Sequence, residues 1–128
     1  ARMGLVGINQ VRGRVSDAEL TKELCDEYAM YDEYSTTAEN ALIDLGEESK
    51  DIGAMAKAGS FISTKLNIAV DSTVSHIAAM MIEGTTMGVT KLSQKITAMK
   101  DCSQEAIDLA ARLVGAESGA IESLKKFL

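Results

Sequence analysis

The sequence of 128 residues contains no proline, no tryptophan, one histidine and two cysteines. Because proline interrupts helices, its absence, together with long runs free of turn residues, favours long helices over a β-sandwich or barrel. The cysteines, Cys25 and Cys102, are too few and too far apart to indicate a disulfide framework. With only three tyrosines and two phenylalanines, the core must be aliphatic and rich in methionine, of which there are seven.

The motifs of the common catalytic and cofactor-binding sites are also missing. The sequence has no Walker loop, no Rossmann fingerprint, no paired-cysteine metal motif and no Ser-His-Asp set. Cys25 could act as a nucleophile only with a base beside it, and the sequence does not place the single histidine, His76, there. We therefore expect no catalytic residue and no cofactor, which favours a non-enzymatic protein.

Charge is distributed unevenly along the chain, whose formal net charge is −6. Residues 1–15 carry three arginines and no acid, whereas residues 16–48 carry eleven acids against Lys22 alone. Phosphate backbones demand a basic face, so this acidic stretch argues against nucleic acid as the partner. No targeting segment is visible, and a reduced, cytoplasmic location is expected. The chain begins without an initiator methionine inside a predicted helix, so we expect residues upstream.

Apolar periodicity and turn residues predict helices over about 2–14, 17–45, 50–70, 73–99 and 104–127. Ser16 and Glu19 have the spacing of a capping box at the start of the second helix. Gly46 is expected to end that helix, and Ser103 to cap the last one. The second helix should bury Leu20, Leu24, Tyr31, Tyr34, Ala38, Ala41, Leu42 and Leu45. We expect the three tyrosines, which include Tyr28, to lie at the edge of the core with their hydroxyls in water.

The stretch from Ser72 to Leu92 is apolar or small on nearly every side of a helix, which predicts a helix inside other helices. Gly84 and Gly88 lie one turn apart, and each costs roughly 1 kcal/mol against alanine in a helix interior. We expect a neighbouring helix to approach closely there, which offsets this cost. Polar interruptions exclude membrane insertion. The prediction is one all-α domain over 1–128, an antiparallel, ferritin-like up-down bundle of four to five helices around a buried central helix at about 72–99.

Several ionisable residues fall on or near the inward faces of the predicted helices. His76 and Glu83 are two turns apart, roughly 10 Å, which is too far to share one metal ion. Glu117 has an inward register on the last helix, and Glu27 and Glu33 lie on or beside the inward edge of the second. Carboxylates on several helices are what a carboxylate-bridged metal site requires, but the di-iron signature also needs two Glu-x-x-His pairs. The simpler interpretation is that His76 and Glu83 hydrogen-bond to facing helices or reach water.

Two segments carry a resemblance: SHIAAMMIEGTTMGVTKL at 75–92 and ARLVGAESGAIESLKKFL at 111–128. They resemble a group of small bacterial helical-bundle proteins, ferritin-like in overall shape, to which no activity is assigned, over roughly residues 50–128. The resemblance therefore implies a fold and transfers no functional residue. Compared with ferritin-like metal proteins, the residues that could occupy ligand-type positions are Glu33, His76, Glu83 and Glu117.

Three functions are compatible with this sequence. The first is a helical-bundle module that acts by interaction, as a homo-oligomer or with a protein partner. Apolar and small residues on the third and fourth helices exceed what the short first helix can cover. The second is a ferritin-like metal-binding or redox protein that uses iron, manganese or zinc. The third is a carrier of an apolar ligand, held by Met80, Met87 and the tyrosines.

Overall fold

The computed structural model describes residues 1–47, 73–98 and 101–128. These residues form four α-helices and no β-strand: α1 (Arg2–Val11), α2 (Ala18–Asp44), α3 (Val74–Ala98) and α4 (Gln104–Leu124). Single turns of 3₁₀ helix follow α1 at Arg12–Arg14 and α4 at Lys125–Phe127. The all-α prediction is thus confirmed, and each of these four helices begins and ends within three residues of its predicted bounds. The helix predicted over 50–70 lies outside the described residues.

Local side-chain and backbone hydrogen bonds explain where α2 and α4 begin and where α2 ends. The Ser103 hydroxyl accepts from the amide of Ala106 at 3.3 Å, as predicted. The capping box with Ser16 is wrong, because Asp17 is the N-cap and its carboxylate accepts from the amide of Leu20 at 2.8 Å. A carboxylate there also has a favourable interaction with the helix dipole.

Gly46 ends α2 in the left-handed conformation, with φ of 71°. Its amide donates to Ile43 and the next amide, of Glu47, donates to Leu42, each at 2.9 Å. This pair of hydrogen bonds is a Schellman motif, which confirms the predicted stop.

The four helices surround a core that lies at one end of the molecule. α1 contacts α2 and α3, and α4 contacts the same two helices. Lys126 contacts Glu23 and the Ser75 hydroxyl donates to the carbonyl of Leu128, each at 3.3 Å, so α2 and α3 begin where α4 finishes. We call this the packed end. The buried cluster comprises Ile8, Val11, Leu20, Leu24, Tyr31, Ile77, Met81, Leu113 and Leu124.

The opposite end, which we call the open end, comprises residues 36–47, 86–98 and 103–112. None of these described residues is buried. Leu45, predicted to belong to the core, is 76% exposed, and Ala41 is exposed as well. The reason is length: α1 spans roughly 15 Å and α2 roughly 40 Å at 1.5 Å per residue, so α1 covers only part of its neighbour.

The prediction that the central helix is buried on nearly every side is wrong for the described residues 74–98. Its buried residues are Ile77, Ala78, Met81 and Thr85. The outward face carries threonines whose hydroxyls donate to carbonyls of the same helix, Thr86 to Ile82 at 2.7 Å and Thr90 to Thr86 at 2.9 Å. Because these hydroxyls are satisfied locally, that face needs no second helix over it.

The two glycines of α3 differ in their surroundings. A Cβ atom built on Gly88 would lie 3.1 Å from Oε1 of Glu117, so the predicted close approach is confirmed there. A Cβ atom on Gly84 would meet no atom of the described residues within 4 Å, so none of the described helices makes the close approach predicted at that position. Gly4 of α1 has less space than Gly88, because a Cβ atom there would overlap the ring of Tyr31.

Replacing Gly84 and Gly4 with alanine should change the free energy of unfolding in opposite directions. We expect Gly84→Ala to raise the free energy of unfolding by about 0.5–1 kcal/mol, because alanine favours a helix interior and has room there. We expect Gly4→Ala to lower it by about 1–3 kcal/mol, because the added methyl displaces a buried ring. Urea unfolding monitored by circular dichroism measures both, and two changes of the same sign would contradict the assigned packing.

Candidate functional site

Tyr31 of α2 lies where all four helices meet. Its side chain is 3% exposed, and its hydroxyl donates to Oε1 of Glu117 on α4 at 3.1 Å. Its ring packs on Gly4 of α1, and the side chain of Thr85 on α3 lies beside its hydroxyl. The prediction of a tyrosine with its hydroxyl in water is therefore wrong for Tyr31, because the hydroxyl points to a buried carboxyl group.

Around Tyr31 lies a buried polar cluster, which comprises Glu27, Tyr31, Thr85 and Glu117. The four residues are between 3% and 5% exposed. Both carboxyl oxygens of Glu27 and Oε2 of Glu117 are buried without a hydrogen-bond partner. A buried polar atom without a partner costs free energy, and a buried unpaired charge costs much more. The cluster is therefore most stable when its carboxyl groups are neutral.

Burial sets the protonation of this cluster. It raises the pKa of Glu27 to about 8, with a further rise from the negative charge of Glu23. It also raises the pKa of Glu117, against which the hydrogen bond from Tyr31 acts. Burial, followed by the charge of Glu117, raises the pKa of Tyr31 above its ordinary value, so its hydroxyl keeps its proton. The arrangement positions the helices and holds protons.

The four residues proposed from sequence as metal ligands do not share one environment. Glu117 is buried in the polar cluster, whereas Glu33 and Glu83 are exposed. Successive helix residues are about 100° apart, so Glu33, two residues after Tyr31, lies about 200° round α2 from it. The same angle separates Glu83 from the buried Thr85.

His76 is half-buried, and its Nε2 atom is buried without a hydrogen-bond partner. The predicted hydrogen bond to a facing helix is therefore not formed through that atom. Among residues 1–47, 73–98 and 101–128, no group of three or more His, Cys, Asp or Glu side chains is placed to hold a metal ion. A role with iron, manganese or zinc stays a prediction.

Sequence reasoning placed Glu117 inward and Glu27 at the inward edge, but it missed Tyr31 and Thr85 as their partners. The sequence did contain a signal that Glu27 and Tyr31 of α2 face the core. The buried residues of α2 are Leu20, Leu24, Glu27, Tyr31 and Ser35, which follow one another at steps of four, three, four and four. This spacing is one helix face, so the two polar residues in its middle should face the core.

A second candidate site is the surface of the open end, where large apolar side chains are exposed. Ile43 is 69% exposed and Leu45 76% exposed at the end of α2, and Met87 of α3 is 37% exposed. Met87 also lines a shallow groove of about 280 Å³ together with Thr86, Thr90, Lys91 and Gln94. Such a surface is suited to binding another macromolecule rather than to enclosing a small one.

Charges of both signs lie at the open end, on different helices. Asp44 and Glu47 are exposed at the end of α2, and Lys91 and Lys95 are exposed along the second half of α3. The two acids therefore lie beside the exposed apolar residues of α2, and Lys91 lies one turn after Met87 on α3. This combination is available for pairing with a surface that has the complementary arrangement.

α2 and α3 are long enough to cross a membrane, so their composition determines whether either helix could do so. In the part of the chain that the structure describes, no helix combines the length and apolar character that a membrane crossing needs. A comparison with protein-family models, curated proteins and solved structures found no match to this chain. The resemblance to ferritin-like bundle proteins accordingly stays a prediction.

Proposed function

We propose that this chain is a non-enzymatic helical-bundle module that associates with a second copy of itself through the open end. The observation that carries the proposal is the exposure of Ile43 and Leu45 beside acids on α2, and of Met87 beside lysines on α3. The antiparallel, ferritin-like order of helices belongs to the same proposal. The contacts of α4 with the starts of α2 and α3 support it. A cytoplasmic location stays a prediction.

The apolar side chains supply the driving force for association. Fully burying one leucine or isoleucine contributes about 1.5–3 kcal/mol relative to leaving it in water. Ile43 and Leu45 are mostly exposed, so nearly all of this contribution is available to an interface. Part of it offsets the loss of translational and rotational freedom on binding.

The charges favour a second copy of this chain as the binding partner at the open end. In a two-fold dimer the same patch is used by both copies, so residue i faces residue j and j faces i. The acidic edge at Asp44 and Glu47 can then lie against the basic edge at Lys91 and Lys95 of the other copy, twice per dimer. Opposite charges on α2 and α3 thus permit self-pairing despite the overall charge of −6.

Light scattering after size exclusion tests the association. We expect the wild-type chain to have twice the molar mass of one copy, and the double variant Lys91→Glu/Lys95→Glu to shift toward a monomer because like charges then face each other. Adding Asp44→Lys and Glu47→Lys to that variant should restore the dimer, because the two edges have exchanged sign.

The matched control is Lys125→Glu/Lys126→Glu, which makes the same change of charge at the packed end. It should leave the molar mass of the assembly unchanged. A wild-type chain that stays a monomer at every concentration would overturn the proposal. An equal effect of the two double variants would overturn the assignment of the interface to the open end.

A further inference from the structure

Glu27 is the most deeply buried carboxyl group of the packed end that has no hydrogen-bond partner. It is 3% exposed, and neither of its oxygens accepts a hydrogen bond. Glu117, which is buried to a similar extent, differs because one of its oxygens accepts from Tyr31. Nothing in the packing of Glu27 therefore compensates a negative charge on its side chain.

The charged groups near Glu27 make a negative charge there less favourable. Glu23 lies one turn earlier on the same helix, and its charge repels a second one on Glu27. Lys126, which follows α4, contacts Glu23 at 3.3 Å. Among the described residues, no cation on α1, α3 or α4 contacts the oxygens of Glu27.

The cations and titratable groups on the other helices differ from one another in what they contact. On the side of α1, Arg2 pairs with Glu39 at 2.7 Å, and Arg12 lies over the ring of Tyr28, 5.4 Å from its centre. On α3, His76 has a buried Nε2 without a hydrogen-bond partner. On α4, Glu117 is a second acid, whose pKa is raised by burial, and the hydrogen bond from Tyr31 and the amino group of Ala1 oppose that rise.

We propose that Glu27 makes the packed end proton-sensitive: its carboxyl group is neutral in the packed bundle, and loss of its proton loosens the contacts of α2 with α1 and α4. An ionised carboxylate in this position would be a buried charge without a partner, which proteins avoid by keeping the group protonated. The inference goes beyond association, because Glu27 lies at the packed end and the proposed interface lies at the open end.

The direction of the pH dependence follows from linkage. The ordinary pKa of the group is 4.5, and burial raises it to about 8 in the folded chain. Between these values the folded chain binds a proton that the unfolded chain has released. Stability therefore falls as pH rises, and the equilibrium constant for unfolding increases by up to about tenfold per pH unit from this one group. Below 4.5 and above about 8 the contribution of Glu27 no longer changes with pH.

Urea unfolding at a series of pH values between these limits tests the proposal in the intact chain. Glu27→Gln keeps the shape of the side chain and removes the titration. The equilibrium constant for unfolding should therefore rise with pH less steeply than in the wild type, and the difference should be up to about tenfold per pH unit. Glu33→Gln is the matched control, because Glu33 is exposed on the same helix. It should keep the wild-type pH dependence. An unchanged dependence in Glu27→Gln would overturn the proposal.

A direct measurement needs no variant and covers the case in which Glu27→Gln fails to fold. The ¹³C chemical shift of the Glu27 carboxyl carbon reports its protonation during a pH titration. A midpoint several units above 4.5 is expected, and a midpoint near 4.5 would overturn the proposal. Either result is independent of the molar mass of the assembly, so failure here leaves the association proposal standing.

Discussion

Replacing Tyr31 with alanine is expected to lower the free energy of unfolding by about 3–5 kcal/mol, the range for removing a buried aromatic ring. The loss has two parts. The ring that packs on Gly4 disappears from the junction of four helices, and Oε1 of Glu117 loses its hydrogen-bond donor. Urea unfolding of wild type and variant measures the difference.

Two further variants separate these parts. Tyr31→Phe keeps the ring and removes the hydroxyl, so we expect a loss of about 1–3 kcal/mol, the cost of a buried polar atom left unpaired. Tyr34→Ala removes a tyrosine that is half-buried on the same helix, and its effect should be clearly smaller than that of Tyr31→Ala. Equal losses at positions 31 and 34 would show that Tyr31 is not the residue that joins the four helices.

Two leucines of α2 that the sequence treats alike should respond differently to substitution. Leu24 is 1% exposed and Leu45 is 76% exposed. We expect Leu24→Ala to lower the free energy of unfolding by about 2–5 kcal/mol, because it leaves a cavity in the packed end. Leu45→Ala should change it by less than about 0.5 kcal/mol, as substitutions at exposed positions usually do.

This pair of variants has to be compared at concentrations where the chain is a monomer, because the proposed interface covers Leu45. Urea unfolding at several dilutions identifies that range. A loss at Leu45 as large as that at Leu24, in the monomer, would mean that the open end has a packed core of its own.

The sequence predicted the four described helices well because helix bounds depend on nearby residues. Gly46 ends α2 through its own backbone conformation and two amides next to it, and Ser103 caps α4 through an amide three residues away. Even the wrong cap, Ser16 in place of Asp17, moves the start of α2 by one residue only. Such local chemistry can be read from the chain without knowing the packing.

Coverage of the helices could not be predicted in the same way. The apolar positions of α2 continue to Leu45, and their spacing alone does not show which of them α1 covers. The same limit applies to the polar cluster. An inward register placed Glu117 in the core, but only the arrangement of α2 against α4 shows that Tyr31 is its donor.

The contact between Gly4 and Tyr31 limits how this protein can evolve. A Cβ atom at position 4 overlaps the ring at position 31, so a larger residue at position 4 is destabilising as long as the tyrosine is present. Among descendants of this sequence, a bulkier first helix at that point requires a compensating smaller residue on the second, and the two positions should covary.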